Sequence, residues 1–305
     1  METLFLKDIP NLQDTVVTVG AFDGIHLGHQ ILLKMVVADA RSIQAQSVLL
    51  TFQNHPRQAV QTEEINLITT PEQRAEILSE LKIDYTILID DEKIFQYSPE
   101  RFIDLILVKR LKVREVVVGF NFRFGKERSG DVELLKRRGL LLGFKVKVIG
   151  PVRMGGEIIS SSRIRDLLSQ GKIEEATSYL GRHYEIRGTV IKGEGRGRGF
   201  GFPTANIQPD IQPLIGNGVY TGLVSSQGKK GRLVSPRKVL VSYGTNPTVG
   251  ELSSPRLEIL IPDFEGELYG QRVFLQIVRH IRPQKKFQTV EELTKAIKED
   301  LRYLE

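Results

Sequence analysis

Up to Gly181 the chain alternates β-branched runs with stretches of helical periodicity, and beyond Gly181 the alternation stops. The runs are Thr15 to Val19, Ser47 to Phe52, Tyr85 to Ile89, Glu115 to Phe120 and Phe144 to Ile149. Between them Gln30 to Arg41, Pro71 to Lys82, Pro99 to Arg110 and Asp131 to Arg138 carry apolar residues at helical spacing. Strands alternating with helices predict a doubly wound parallel α/β sheet, whose ligands bind beyond the carboxyl ends of the strands, here after Val19, Phe52 and Val118. After Gly181 short apolar runs follow one another between Gly and Pro turns: Tyr184 to Ile191, Gly218 to Val224, Lys238 to Tyr243, Arg256 to Ile261 and Arg272 to Val278. They predict a small antiparallel β-barrel or sandwich. A closing helix is expected over Thr289 to Leu304, capped by Thr289, with Val290, Leu293, Ile297 and Leu301 as its apolar stripe. The expected domains are therefore 1–181 and 182–305, with a partly helical hinge over Ser169 to His183.

A length of 305 residues suits two domains, and 40% hydrophobic residues suffice for two cores. No apolar run reaches the roughly 18 residues that span a bilayer, and Met1 to Pro10 lacks a secretory apolar core. No membrane association and a cytoplasmic location are the expectation. The chain has no Cys, which excludes disulfides, thiol nucleophiles and thiolate metal sites. Any metal then sits on oxygen or imidazole, which favours Mg²⁺ over Zn²⁺. Basic and acidic residues balance at 24 each up to Gly181, so the whole +6 belongs to the C-terminal part. That excess suits a polyanion partner or simply a solvated surface.

The segment Gly20 to His29, GAFDGIHLGH, follows the first strand and opens the first helix, where a doubly wound fold holds phosphates. Gly20, Gly24 and Gly28 permit tight turns, and His26 and His29, three apart, share one face of the entering turn. Two imidazoles beside helix N–H groups suit attack of one phosphate on the α-phosphorus of ATP. That reaction needs alignment and donors and no covalent nucleophile. A bare HxxH pair more often marks a structural or adventitious metal site, but the glycines, Asp23 and the strand-to-helix context favour the phosphate reading.

In the second half Gly193 to Asn206, GEGRGRGFGFPTAN, sets five glycines on a basic loop. Without its context the tract would read as a linker or an RNA-contacting segment. Between two strands it reads as an ordered loop, with backbone N–H groups of Gly195, Gly197 and Gly199 around a phosphate and Arg196 and Arg198 offsetting charge. The Thr204 hydroxyl and Asn206 amide oxygen are hard ligands suited to Mg²⁺.

GAFDGIHLGH resembles the GxFDGxHxGH of the adenylyltransferase module in prokaryotic riboflavin kinase/FAD synthetases. TFQNHP (Thr51 to Pro56) resembles the family's TFxPHP, VVGFNFRFGKERSG (Val117 to Gly130) its VVGxDFxFGxxRxG, and ISSSRIR (Ile159 to Arg165) its ISSTxIR. GRGRGFGFPTAN is similar to the kinase loop GxxrGRxLGFPTAN, YGTNPTV to IGxNPT, and LEILIPDFEGELYG to vEtHixDFxxDLYG. The resemblance implies that Gly20, Phe22, Asp23, Gly24, His26, Gly28 and His29 hold ATP, with Ser161, Ser162 and Arg165 closing on its phosphates. It implies flavin contacts from His55, Asn121, Phe122, Arg123, Phe124 and Arg128. In the kinase it places Pro203 in the ATP loop beside Gly195 to Gly199, and makes Glu258 the base for the riboflavin 5′-hydroxyl. Read alone, Ser160 to Ser162 would be an N-cap and Glu258 an outward strand residue. The sequence departs from the family at Asn54, Asn121, Ser162, Leu260 and Gln284, the last two standing for His and Glu.

The expected function is therefore two-step flavin cofactor synthesis: riboflavin to FMN at the C-terminal barrel, then FMN to FAD at the N-terminal domain. ATP and Mg²⁺ serve both, nucleic acid neither, and the chain is expected to be a monomer or weak homo-oligomer. The alternative keeps only the adenylyltransferase, with an inactive kinase-like barrel. A nucleic-acid-binding reading leaves PTAN and the two histidines without a task.

Overall fold

The computed structural model describes residues 1–52, 66–193, 201–226, 236–245, 255–264 and 266–305. It forms two compact units, residues 1–65 with 71–160, and residues 66–70 with 161–305. The first unit is built on six parallel strands: β1 (Glu2–Phe5), β2 (Thr15–Val19), β3 (Gln46–Phe52), β4 (Tyr85–Ile89), β5 (Val113–Gly119) and β6 (Lys145–Ile149). Their order is β1-β4-β3-β2-β5-β6. Chain progression reverses direction between β2 and β5, so the ligand crevice of this topology opens at the carboxyl ends of those two strands.

Among the described residues four helical connections cover the sheet: α1 (Leu27–Ser42), α2 (Pro71–Glu80), α3 (Pro99–Phe102), which runs on as a π-helix over Ile103–Arg110, and α4 (Val132–Leu142). Strand alternation sends neighbouring residues to opposite faces. Val16 joins Leu33, Val36 and Leu78 of α1 and α2 in one core, while Val17 and Val19 join Phe102, Ile106 and Leu135 in the other. All five residues of β2 are buried, which anchors the turn that follows it.

The second unit contains α5 (Ser161–Ser169), α6 (Ile173–Leu180) and a closed antiparallel barrel. The barrel strands are β9 (Tyr184–Ile191), β10 (Thr204–Pro209), β11 (Gly218–Ser226), β12 (Arg237–Gly244), β13 (Arg256–Leu260) and β14 (Arg272–Arg282), in the order β10-β13-β12-β11-β14-β9. The two short strands β7 (Arg153–Met154) and β8 (Glu157–Ile158) form a separate hairpin in the first unit. Within the second unit Arg279 of β14 pairs with Glu174 of α6 at 3.0 Å, and the Leu168 carbonyl of α5 accepts from the Gly216 N–H. The last helix, α7 (Val290–Leu301), is capped by the Thr289 hydroxyl, which accepts from the Glu292 N–H. Near its end Asp300 forms a near-buried ion pair, accepting from both Nε and Nη2 of Arg282 at 2.7–3.2 Å.

Candidate active sites

In the first unit the turn after β2 carries the backbone strain of a built site. Phe22, Gly24 and Ile25 all have left-handed φ, at +51°, +77° and +36°, a conformation non-glycine residues adopt only when their surroundings impose it. Here burial imposes it: Phe22, Asp23, Ile25 and His26 are each under 7% exposed. Two glycines make room for the rings. A Cβ at Gly20 would stand 2.9 Å from the Phe22 ring, and one at Gly28 3.1 Å from His26 Cε1.

His26 is the N-cap of α1, its Nδ1 accepting the His29 backbone N–H at 3.2 Å. An accepting Nδ1 puts the proton of a neutral imidazole on Nε2, where it is a donor. The two imidazoles are stacked, with centroids 3.6 Å apart and planes 16° apart. Burial, and then the neighbouring His26, push the His29 pKa well below its ordinary value, so His29 is a neutral ring at physiological pH. Its Nδ1 is buried and finds no hydrogen-bond partner among the described residues. With the His29 N–H capped, Leu27 and Gly28 supply the other amides heading the helix, an arrangement suited to an anion.

Sequence reasoning missed Arg74. From α2 its guanidinium donates to the carbonyls of Ala21 and Phe52, both at 3.1 Å, tying the strained turn to the end of β3. Burial lowers its pKa, opposed only in part by Asp23 nearby. The targets are backbone carbonyls distant in sequence, so no motif announces the residue. Replacing Arg74 with Ala is expected to slow chemistry at this turn roughly tenfold through misalignment, with barrel chemistry unchanged, as separate rate assays on each half-reaction will measure.

Beyond β5 lies the segment Phe120 to Gly130. Phe124 is buried, stacked on Phe122 at 5.3 Å and tilted against Phe102 at 5.7 Å, and it pairs with Gly130 in an isolated bridge. Arg123 is paired with Asp131, the N-cap of α4, at 3.4 Å. Asn121 and Arg128 are exposed and Phe122 is half-buried. His55 lies outside the described residues. Ser161, Ser162 and Arg165 lie on α5 in the second unit, where Arg165 Nε donates to the Asn66 carbonyl at 2.9 Å.

In the barrel three polar residues fall in one cross-strand row. Glu258 of β13 is the register partner of Asn206 on β10 and of Ser242 on β12, which puts neighbouring Cβ atoms about 5 Å apart. Thr204, two residues before Asn206 on the same strand, shares that face and stands opposite Leu260. The Asn206 amide lies against Gly193, so close that a Cβ there would collide with its Nδ2. Pro203 is exposed just before β10, and Gly195 to Gly199 lie outside the described residues. A cavity of about 530 Å³, also missed by sequence reasoning, opens between the end of β14 and α7, lined by Arg282, Lys285, Phe287, Lys295, Ala296 and Tyr303 among others. Seven of its eleven lining residues are charged, Glu292, Glu299 and Asp300 among them.

Comparison with known proteins assigns both halves. Residues 8–163 match the family model for FAD synthetase, and residues 180–305 that for riboflavin kinase. The bifunctional riboflavin kinase/FMN adenylyltransferase of Escherichia coli strain K12 is 32% identical over 287 residues, covering 93% of this chain and 90% of that protein. The Listeria monocytogenes protein of the same description is 33% identical over 289 residues. A solved Streptococcus pneumoniae chain described as a macrolide-efflux protein superposes with a TM-score of 0.87 at 30% identity, over 99% of this chain and 98% of that one. Among the described residues here no helix is long and apolar enough to cross a membrane. The chain belongs to the bifunctional riboflavin kinase/FMN adenylyltransferase family.

Proposed function

We propose that the chain makes FAD from riboflavin in two ATP-dependent steps, the kinase reaction belonging to residues 182–305 and the adenylyl transfer to residues 1–181. What supports this reading most is the presence of two unlike phosphate-type sites, a strained turn heading α1 and a polar row on the barrel, in the halves that match the two family models.

In the kinase step the riboflavin 5′-hydroxyl oxygen bonds to the γ-phosphorus of ATP as the bond to the β–γ bridging oxygen breaks and ADP leaves. Glu258 takes the hydroxyl proton. In the second step a phosphate oxygen of FMN bonds to the α-phosphorus of ATP and pyrophosphate leaves. His26 and His29 donate to the charge gathering on the phosphate oxygens. The assignments of Ser161, Ser162 and Arg165 to the phosphates, and of His55, Asn121, Phe122, Arg123, Phe124 and Arg128 to the flavin, rest on the sequence resemblance.

The donors at the barrel site suit Mg²⁺: a hydroxyl, an amide oxygen and a carboxylate, with Gly193 leaving the space the Asn206 amide occupies. Thr204 and Asn206 would hold the ion, which when bound neutralises charge on the ATP phosphates. Excess EDTA is expected to stop both steps and added Mg²⁺ to restore them, with riboflavin, FMN and FAD separated by chromatography. A zinc-selective chelator is expected to do little. Undiminished turnover in excess EDTA would refute the metal requirement.

A further inference from the structure

The left-handed run after β2 ends at Ile25, the member least suited to it. A β-branched residue at φ +36° is a genuine outlier, so its surroundings must hold it there. The Ile25 side chain is wholly buried, and its N–H donates to the Phe22 carbonyl at 3.3 Å. The Ile25 carbonyl accepts from Gln30 Nε2 at 3.0 Å. Only the NH₂ end of a glutamine can serve a carbonyl, which settles the orientation of that amide. Gln30 lies on α1 one turn beyond His26, whose carbonyl accepts the Gln30 N–H at 2.9 Å. Ile25 and Gln30 thus occupy the two places flanking a helix start where a hydrophobic contact often fixes the entry of the chain. Here a hydrogen bond joins them. At the other end of the turn the Ala21 carbonyl takes the Thr51 hydroxyl at 3.4 Å as well as Arg74.

We propose that Gln30 is a positioning residue for adenylyl transfer, acting through Ile25 on His26. This inference rests on the adenylyltransferase reading above. The backbone of Ile25 sets how His26 enters the helix. Held left-handed, it leaves His26 Nδ1 accepting the His29 N–H at 3.2 Å, which keeps the ring proton on Nε2 and the two imidazoles stacked. Released from Gln30, Ile25 relaxes toward the regions open to a β-branched residue, and the His26 ring is carried off its cap. Nδ1 is then open to the proton, and both rings lose their aim at the phosphate oxygens. A donor stabilises developing charge only while it is preorganised. Glutamate at 30 has the shape of glutamine, but ionised it can only accept, and it would face a carbonyl oxygen. A negative charge near a helix N-terminus is otherwise favourable, so α1 itself is spared. The turn uses the N–H of Gln30 rather than its volume.

The test uses the full chain in the variants Gln30→Glu and Gln30→Met, the second keeping the length of the side chain without a charge. Each is expected to lower kcat for conversion of FMN to FAD about tenfold, the worth of one hydrogen bond. The KM for FMN, riboflavin phosphorylation and the melting temperature are expected to stay at wild-type values. Nitrogen-15 spectra of the histidine-labelled chain give a readout that a loss of folded protein would not move. His26 Nδ1 is expected to show the shift of an unprotonated nitrogen in the wild type and to move toward the protonated tautomer in both variants. A wild-type kcat in either variant, or a slower reaction with an unchanged His26 spectrum, would overturn the inference. His29→Ala, run alongside, separates the two levels. If it is slow while the Gln30 variants are normal, only the positioning role falls. If it makes FAD from FMN at the wild-type rate, the assignment of this turn falls and takes the role with it.

Discussion

Replacing Glu258 with Gln is expected to slow FMN formation from riboflavin by about 10²- to 10⁴-fold, the usual worth of a general base. The amide keeps the shape and hydrogen-bonding reach of the side chain and loses only the ability to take a proton. Asn206 and Ser242, its partners in the cross-strand row, remain in place, so barrel stability is expected to hold. Added FMN is expected to become FAD at the wild-type rate, because the turn heading α1 is untouched. Normal phosphorylation by Glu258→Gln would return Glu258 to an ordinary strand residue and remove the kinase assignment with it.

The complementary change, His29→Ala, is expected to slow conversion of FMN to FAD by about 10²- to 10³-fold, the cost of losing one preorganised donor. Riboflavin phosphorylation is expected to continue, so FMN accumulates. The change spares the fold better than His26→Ala, because His26 also caps α1 and its ring occupies the space above Gly28. Mixing the two defective variants is expected to restore FAD from riboflavin, since FMN made by one diffuses to the other. Failure of the mixture, with each half-reaction intact in its own variant, would mean that FMN does not leave the chain that makes it.

The parts legible in the sequence were those governed by local periodicity. The strands of both halves fall where β-branched runs stand, and Thr289 caps the last helix as its hydroxyl and position predict. The misses have physical causes. β1 is only Glu2–Phe5, with two exposed and two half-buried residues, and it exists because β4 offers it a parallel edge far along the chain. β10 was hidden because PTAN, between Gly and Pro turns, reads as loop until its two strand partners are known. α1 begins at Leu27 rather than Gln30 because a histidine, uncommon as a cap, closes it. α4 runs to Leu142, past Arg138, because Gly143 at φ +81° ends it. At the first site the two histidines were readable as a pair on one face, and their stacked rings bear that out. What could not be read is that one of them spends a nitrogen on the helix, or that Arg74 holds the turn from below. Both depend on backbone groups, which leave no mark in side-chain identity.

One chain is expected to carry both reactions, each at its own site. The most direct measurement is a time course of the wild-type chain with riboflavin, ATP and Mg²⁺, with the three flavins separated by chromatography. FMN is expected to appear first and FAD to follow as FMN declines. FMN without FAD, or FAD formed only when FMN is supplied, would contradict the account.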